Sequence, residues 1–259
     1  MSAQKVSNND LVVLIPKIKG QKLCLRIEDE TKKIAKLGVY NSIKLLGKPY
    51  GSIVTIGRNQ YWLLPSKLLD HLDTITRKAQ IILPKDSALI ALFCNLSPGA
   101  NVIEGGLGSG ALTIFLLSLV GASGKIITYE KREDFAKIGK KNIETTGLSG
   151  SWVLKLQDIT KGISEKNMDA VILDIPEPWL VVSHAHLALC SGGALACYVP
   201  TTNQVEKLVK EIQRHPFIDI HTYETLHREM IVGSGGVRPS FDMLGHTGYI
   251  TVARKVLGT

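Results

Sequence analysis

The chain has 259 residues, 44% of them hydrophobic, with 31 Lys+Arg against 23 Asp+Glu for a formal net charge of +8. That length can bury one generous core, or a core with a smaller satellite domain, without help from disulfides. Cys24, Cys94, Cys190 and Cys197 form no C-x-x-C pair and no metal-ligand spacing with histidine, the opening MSAQKVSNND lacks a signal-peptide core, and the longest apolar run, Ala111 to Val120, is far short of a membrane helix of ~20 residues. These features argue against a disulfide scaffold, a secreted precursor and a helical membrane protein, and the expectation is a reduced, cytoplasmic protein with no membrane partner and no metal.

The charge is unevenly divided. Residues 1–80 hold 14 Lys+Arg against 6 Asp+Glu, whereas the remainder holds 17 against 17. A basic front beside a neutral body suits a polyanion such as nucleic acid, because neutralising phosphates releases counterions. A solvated lysine-rich face accounts for the same charge.

Along the chain, the runs LVVLIPKI, KLCLRI, GSIVTI and QYWLLP, separated by turn signals, predict a small β-rich domain over residues 1–80. The charged link from Leu68 to Asp86 follows, then DSALIALFCNL with helical spacing and a start cap at Asp86 or Ser87. Over residues 81–259 strand and helix alternate. The predicted strands are NVIE, KIITYE, WVLKL, DAVILD and GALACYVP, and the predicted helices are Ser109–Val120, Arg132–Glu144, Trp179–Cys190 and Asn203–Arg214. Such alternation specifies an α/β fold, a Rossmann-like parallel sheet with helices on both faces. Two later β-like runs, FIDIHTYETL and GYITVARK, have no helix between them and are expected to close the sheet as an antiparallel pair.

In an open α/β sheet ligands sit beyond the carboxyl ends of the strands. There the sequence places Glu104, the loop glycines Gly106, Gly108 and Gly110, then Glu130, Asp158 and Asp174. Glu104 has the wrong sign for a dinucleotide pyrophosphate, since unit charges ~4 Å apart interact by about 4 kcal/mol at an effective dielectric of 20. It suits a sulfonium ligand such as S-adenosylmethionine. The glycines permit close backbone approach, Glu130 is spaced to accept from both ribose hydroxyls, and Asp158 to accept from the adenine amino group. The reading is a methyltransferase, with another Rossmann-like nucleotide binder as the alternative.

After Asp174 come Pro176 and Pro178, which fix φ and remove donors, so a stiff loop follows and offers Trp179 as an aromatic face. His184 and His186 point apart at i and i+2 of a helix, so no metal site is expected.

Six segments carry a more specific likeness: QIILPKD at Gln80–Asp86, EGGLGSGALT at Glu104–Thr113, YE at Tyr129–Glu130, LDIPEPW at Leu173–Trp179, YVPTTNQV at Tyr198–Val205, and HREM…VRPSFDMLGHTGYITVARK from His227 to Lys255. Together they resemble the tRNA adenine-N1-methyltransferases of the TrmI type. The resemblance implies a small N-terminal β domain that binds tRNA, a class I methyltransferase domain, a homotetramer, and methylation of adenine N1 at T-loop position 58, with 57 added in archaeal members. It implies that Gly106, Gly108, Ser109, Gly110 and Ala111, with Glu130 and Asp158, hold S-adenosylmethionine. Asp174 is then the central substrate-binding and catalytic residue and Tyr198 lines the adenine pocket. Leu83 stands where many members carry Tyr or His, so it packs without donating or stacking; Arg238 falls on a loop facing substrate. Two rivals are a non-catalytic tRNA-binding subunit and a methyltransferase for another substrate. The first is opposed by the presence of Glu104, the loop glycines, Glu130 and Asp174.

Overall fold

The computed structural model describes residues 4–34, 37–78 and 80–258. It divides into two units, residues 1–76 with 141–147, and residues 77–140 with 148–259.

The first unit is built on β1 (Leu11–Pro16), β2 (Leu23–Arg26), β3 (Thr31–Ile34), β4 (Gly38–Asn41), β5 (Ile53–Ile56) and β6 (Asn59–Pro65). The antiparallel sheet runs β2-β1-β6-β5, and β3 and β4 form a separate hairpin. Alternating residues of these strands, among them Val12, Leu14, Leu25, Val54, Tyr61 and Leu63, close a core completed by Val6, Ile27 and Leu45. The hairpin Thr31–Asn41 and a short helix α1 (Leu68–Thr74) lie where the sequence offered only charged connections. Lys22 pairs with Asp70 and Asp73 of α1 at 2.8 and 3.0 Å, which gives that polar segment its anchorage.

The second unit contains α2 (Pro84–Phe93), β7 (Asn101–Gly105), α3 (Ala111–Val120), β8 (Lys125–Tyr129), α4 (Glu133–Thr146, whose end belongs to the first unit), β9 (Trp152–Lys155) and β10 (Met168–Leu173). It continues with α5 (Val182–Ala188), β11 (Leu189–Val199), α6 (Thr202–Ile212), β12 (Phe217–Glu224), β13 (Met230–Gly233), β14 (Gly236–Pro239) and β15 (Tyr249–Lys255). Its seven-stranded sheet has the order β12-β15-β11-β10-β7-β8-β9. Strands β11, β10, β7, β8 and β9 are parallel neighbours, and β15 runs antiparallel between β11 and β12. The expected antiparallel closure is thus present. The strand order reverses between β7 and β10, the topological switch point at which such sheets bind ligands. The parallel strands read as near-continuous apolar runs because both faces are covered; Val102, Ile103, Val171, Ile172 and Leu173 are fully buried.

Several boundaries differ from the sequence reading. Helix α2 starts at Pro84 with Leu83 as its N-cap, since proline is preorganised for the first helical position; Asp86 therefore sits inside the first turn rather than capping it. Helix α3 starts at Ala111, with Gly110 left-handed (φ 80°) as its N-cap. The predicted helix Trp179–Cys190 is a 3-10 turn over Pro178–Val181 followed by α5, and Cys190 already belongs to β11. The hairpin β13–β14 was not anticipated. Among the described residues no helix is long and apolar enough to cross a membrane.

Candidate functional site

Strand β7 delivers the chain to the switch point at Gly105, and the loop that follows is strapped on both sides. The Asp174 amide donates to Gly105 O at 2.8 Å and the Gly106 amide to Tyr129 O at 2.9 Å. Gly106 has φ 93°, and a Cβ there would stand 2.3 Å from the Asp174 carbonyl oxygen. Only glycine fits so close a passage, so the sequence pattern reports a backbone-to-backbone approach beside the cleft.

Glu130, immediately after β8, is 4% exposed. One of its oxygens accepts from the Leu107 and Gly108 amides at 3.2 and 3.3 Å, and the other from the Arg132 amide at 2.9 Å. It both fixes the glycine loop and borders the cleft. Asp158, following β9, accepts from the Thr160 hydroxyl and amide at 2.8 and 3.0 Å. Those bonds, with Lys131 nearby, hold its carboxyl below the usual range. Gly106, Glu130, Asp158 and Asp174 line one cleft, together with Arg132, Thr160 and Pro176. The structure therefore brings together four of the predicted site residues around a space that a Cβ on Gly106 would distort. A backbone cradle flanked by carboxylates fits a cofactor with ribose hydroxyls, an amino group and a sulfonium.

Glu104 requires a correction. It is fully buried beneath the loop and does not line that cleft. One carboxyl oxygen accepts from the hydroxyls of Thr113 and Thr128 at 2.7 and 2.6 Å, and the other has no partner. Burial pushes its pKa up to about 8, outweighing both hydroxyls. The carboxylates that face the cleft are Glu130, Asp158 and Asp174. Glu104 braces β7 against α3 and β8. Ser109, 2% exposed, accepts from the Lys78 amide at 3.1 Å. Ala111 opens α3 and is buried.

Asp174 follows β10 and is open to solvent at the cleft. Crowding by protein and the neighbouring Glu130 charge push its carboxyl up to about 6, and water reaching it through the cleft mouth screens part of that push. The register pairs Leu173 of β10 with Cys197 of β11, which sets Tyr198 beside Asp174 at the carboxyl edge of the sheet. Burial, with the Asp86 and Asp174 charges, pushes the Tyr198 phenol up to about 12, so it stays protonated.

The remaining predicted residues lie outside the cleft's lining. Leu83 is half-buried at the N-cap of α2. Trp179 lies in the 3-10 turn, with the Lys207 ammonium 4.0 Å from its ring centre. Arg238 is exposed on β14, its guanidinium 4.6 Å from the Phe241 ring centre. Sequence reasoning missed Asp86, Thr247 and Gly248, which meet Tyr198, and Lys85, which pairs with Asp86. The one available signal was a Lys-Asp pair at the head of an otherwise apolar helix.

Comparison with known proteins identifies the family. The family described as tRNA methyltransferase complex GCD14 subunit matches residues 69–238. The tRNA (adenine(57)-N(1)/adenine(58)-N(1))-methyltransferase TrmI of Methanocaldococcus jannaschii is 38% identical over 220 residues, 75% of this chain and 78% of that protein. Among solved structures, a SAM-dependent O-methyltransferase of Thermotoga maritima superposes with a TM-score of 0.86 at 34% identity, covering 98% of this chain and 96% of its own. The tRNA (m1A58) methyltransferase TrmI of Aquifex aeolicus gives 0.79 at 28% identity, covering 98% and 100%. With its glycine cradle, carboxylate-lined cleft and seven-stranded sheet, the chain belongs to the GCD14 family of tRNA methyltransferases.

Proposed function

We propose that this protein uses S-adenosylmethionine to methylate adenine N1 in the T-loop of tRNA, at position 58 alone or at 58 and 57. The observation that carries the reading is the single cleft joining Gly106, Glu130 and Asp158 to Asp174, with Tyr198 next to Asp174 across the β10–β11 register. When bound, the cofactor supplies an electrophilic methyl on a sulfonium. The loop backbone and the Glu130 and Asp158 carboxylates bind its polar groups and fix its direction. Adenine N1 has its own lone pair, so the protein's main contribution is to align the reactants. Asp174 accepts from the N6 amino group and favours the positive charge that develops on the ring. Its elevated pKa then suits it to take a proton afterwards. The base must leave its stack to arrive there, and Leu83 and Tyr198 serve as walls for it, with Trp179 and Arg238 on the RNA side.

The basic N-terminal domain, residues 1–80, supports backbone contacts to tRNA through its excess of 14 Lys+Arg over 6 Asp+Glu. The β13–β14 hairpin and the segment after it leave Val232, Val237 and Phe241 at 76, 63 and 82% exposed. Apolar exposure on that scale favours coverage by other copies of the chain, in a cytoplasmic homotetramer whose mass light scattering will measure.

Incubation with labelled cofactor and an unmodified tRNA transcript, followed by nucleoside analysis and position mapping, tests the reading. The expected product is N1-methyladenosine, with Asp174→Ala losing about 10²–10³-fold in kcat while still binding cofactor. Methyl transfer to a hydroxyl or a non-RNA acceptor would overturn the substrate. Binding of tRNA with no transfer to any acceptor would favour a non-catalytic subunit.

A further inference from the structure

Asp86 is a fully buried carboxylate in the first turn of α2. One of its oxygens accepts from the Lys85 ammonium at 2.8 Å. The other accepts from Lys85 at 2.9 Å, from the Thr247 hydroxyl at 3.0 Å and from the Tyr198 hydroxyl at 3.4 Å. Lys85 also donates to Thr225 O and to Thr247 Oγ1, both at 2.8 Å. Its three N–H groups thus meet three partners, Asp86, Thr225 and Thr247. The knot ties the first turn of α2 to the segments flanking β12 and β15, and Tyr198 of β11 is its longest contact. Gly248 leaves room for the phenol: a Cβ there would stand 2.4 Å from Tyr198 Cζ and 2.7 Å from its hydroxyl.

A buried ion pair is seldom more stable than well-packed apolar residues of the same volume, so stability alone gives little reason for one at this place. Its geometric effect is specific. The carboxylate restrains the hydroxyl end of the Tyr198 ring, and the same helix turn presents Leu83, three residues earlier.

We propose that Asp86 is a positioning residue for the target base, acting through the hydroxyl of Tyr198, with Lys85 and Thr247 holding its carboxylate in place. This rests on the adenine-methylating reading of the cleft. Tyr198 is the group that meets the base, and Asp86 sets where its hydroxyl stands.

The test is a double-mutant cycle of Asp86→Asn and Tyr198→Phe on unmodified tRNA transcript, measuring kcat, KM for tRNA, cofactor affinity by calorimetry and melting temperature. Each single variant is expected to lose about tenfold in kcat, and the double variant no more than Tyr198→Phe alone. Cofactor affinity stays within about twofold throughout. Multiplicative losses, or an unchanged kcat in Asp86→Asn, overturn the proposal, because a brace independent of the phenol behaves that way. If Asp86→Asn fails to fold because Lys85 is left unpaired, the paired replacement Lys85→Met with Asp86→Leu removes both charges at similar volume. It must then show the same kcat loss, and wild-type kcat in that variant overturns the proposal equally. Failure of the wild-type protein to methylate adenine would instead defeat the reading on which the proposal stands.

Discussion

The two sides of Asp174 are constructed by different means. On the glycine-loop side the wall is main chain: Gly106 passes within contact of the Asp174 carbonyl, and Glu130 gathers loop amides 22 and 23 residues away. On the Tyr198 side the wall is a side chain held by other side chains, and the bonds that link Tyr198, Asp86, Thr247 and Lys85 span 112, 161 and 162 residues. A main-chain wall tolerates almost no substitution at its closest approach, because the backbone cannot rotate away. A side-chain wall yields by degrees.

That contrast predicts its own largest break. Gly106→Ala forces a left-handed φ of 93° on an L-residue and drives its Cβ to 2.3 Å from a backbone oxygen, which costs roughly 2–4 kcal/mol of stability. Cofactor affinity is expected to fall by about tenfold or more, that is about 1.4 kcal/mol or more. Calorimetric titration of the folded variant checks this; near-normal affinity would mean that the loop does not approach the ligand.

Gly248→Ala makes the matching perturbation on the other side. Its Cβ would meet the Tyr198 ring at 2.4 Å, but a ring and its supporting loop can shift, so the stability loss is smaller, about 1–3 kcal/mol. The expected outcome is a kcat about tenfold lower with cofactor affinity unchanged. Steady-state kinetics beside calorimetry decide it, and a parallel loss of cofactor binding would show that the two walls are not separate.

The same contrast explains what was legible in the sequence. Glycines at 106, 108 and 110 and carboxylates at the ends of consecutive strands are local patterns, and the alternation that places them on one sheet edge is local too. Glu104 shows where local reading stops. Its position at the end of β7 was right, but a strand alternates its faces and a one-residue offset decides whether a carboxyl meets ligand or core. The threonines that receive it lie on α3 and β8, and nothing in a five-residue window announces them. The β3–β4 and β13–β14 hairpins escaped because their strands are four residues long and mostly exposed, without apolar alternation to mark them. Asp86 escaped because its partners beyond the neighbouring Lys85, namely Tyr198 and Thr247, come from two distant segments.

Glu104→Gln sharpens the point at a smaller scale. A glutamine keeps an acceptor for Thr113 and Thr128, so stability at pH 5 changes by about 1 kcal/mol or less, and cofactor affinity stays near wild type. The pH dependence has a definite sign. The folded carboxyl, at about 8, holds its proton more tightly than the unfolded one near 4.5, so its contribution is present below 4.5 and lost as pH rises through 8. Urea titrations at pH 5 and pH 8 are expected to find the variant gaining on the wild-type protein at the higher pH. A variant that loses ground at pH 8 would show that Glu104 is ionised in the folded protein.

The smallest effect belongs to His246, next to Thr247 on the Tyr198 side. One ring nitrogen meets Glu224 Oε1 at 2.6 Å and the other Pro200 O at 2.7 Å. A peptide carbonyl only accepts and a carboxylate accepts, so both nitrogens must donate, and the ring in this arrangement is an imidazolium. Glu224 and the Pro200 carbonyl accordingly raise its pKa above the ordinary 6.5. A raised folded-state value means that the contribution is fully present below pH 6.5 and fades as pH rises through the folded value. Because the side chain is 41% exposed, solvent and salt screen the pair and the effect on melting temperature is small. Melting curves of the wild-type protein and His246→Gln are expected to differ most at acidic pH and to converge at alkaline pH. A gap that stays constant across that range would mean that the ring is held as a neutral packing group, and that the loop carrying Thr247 and Gly248 owes its position to the Lys85–Asp86 knot alone.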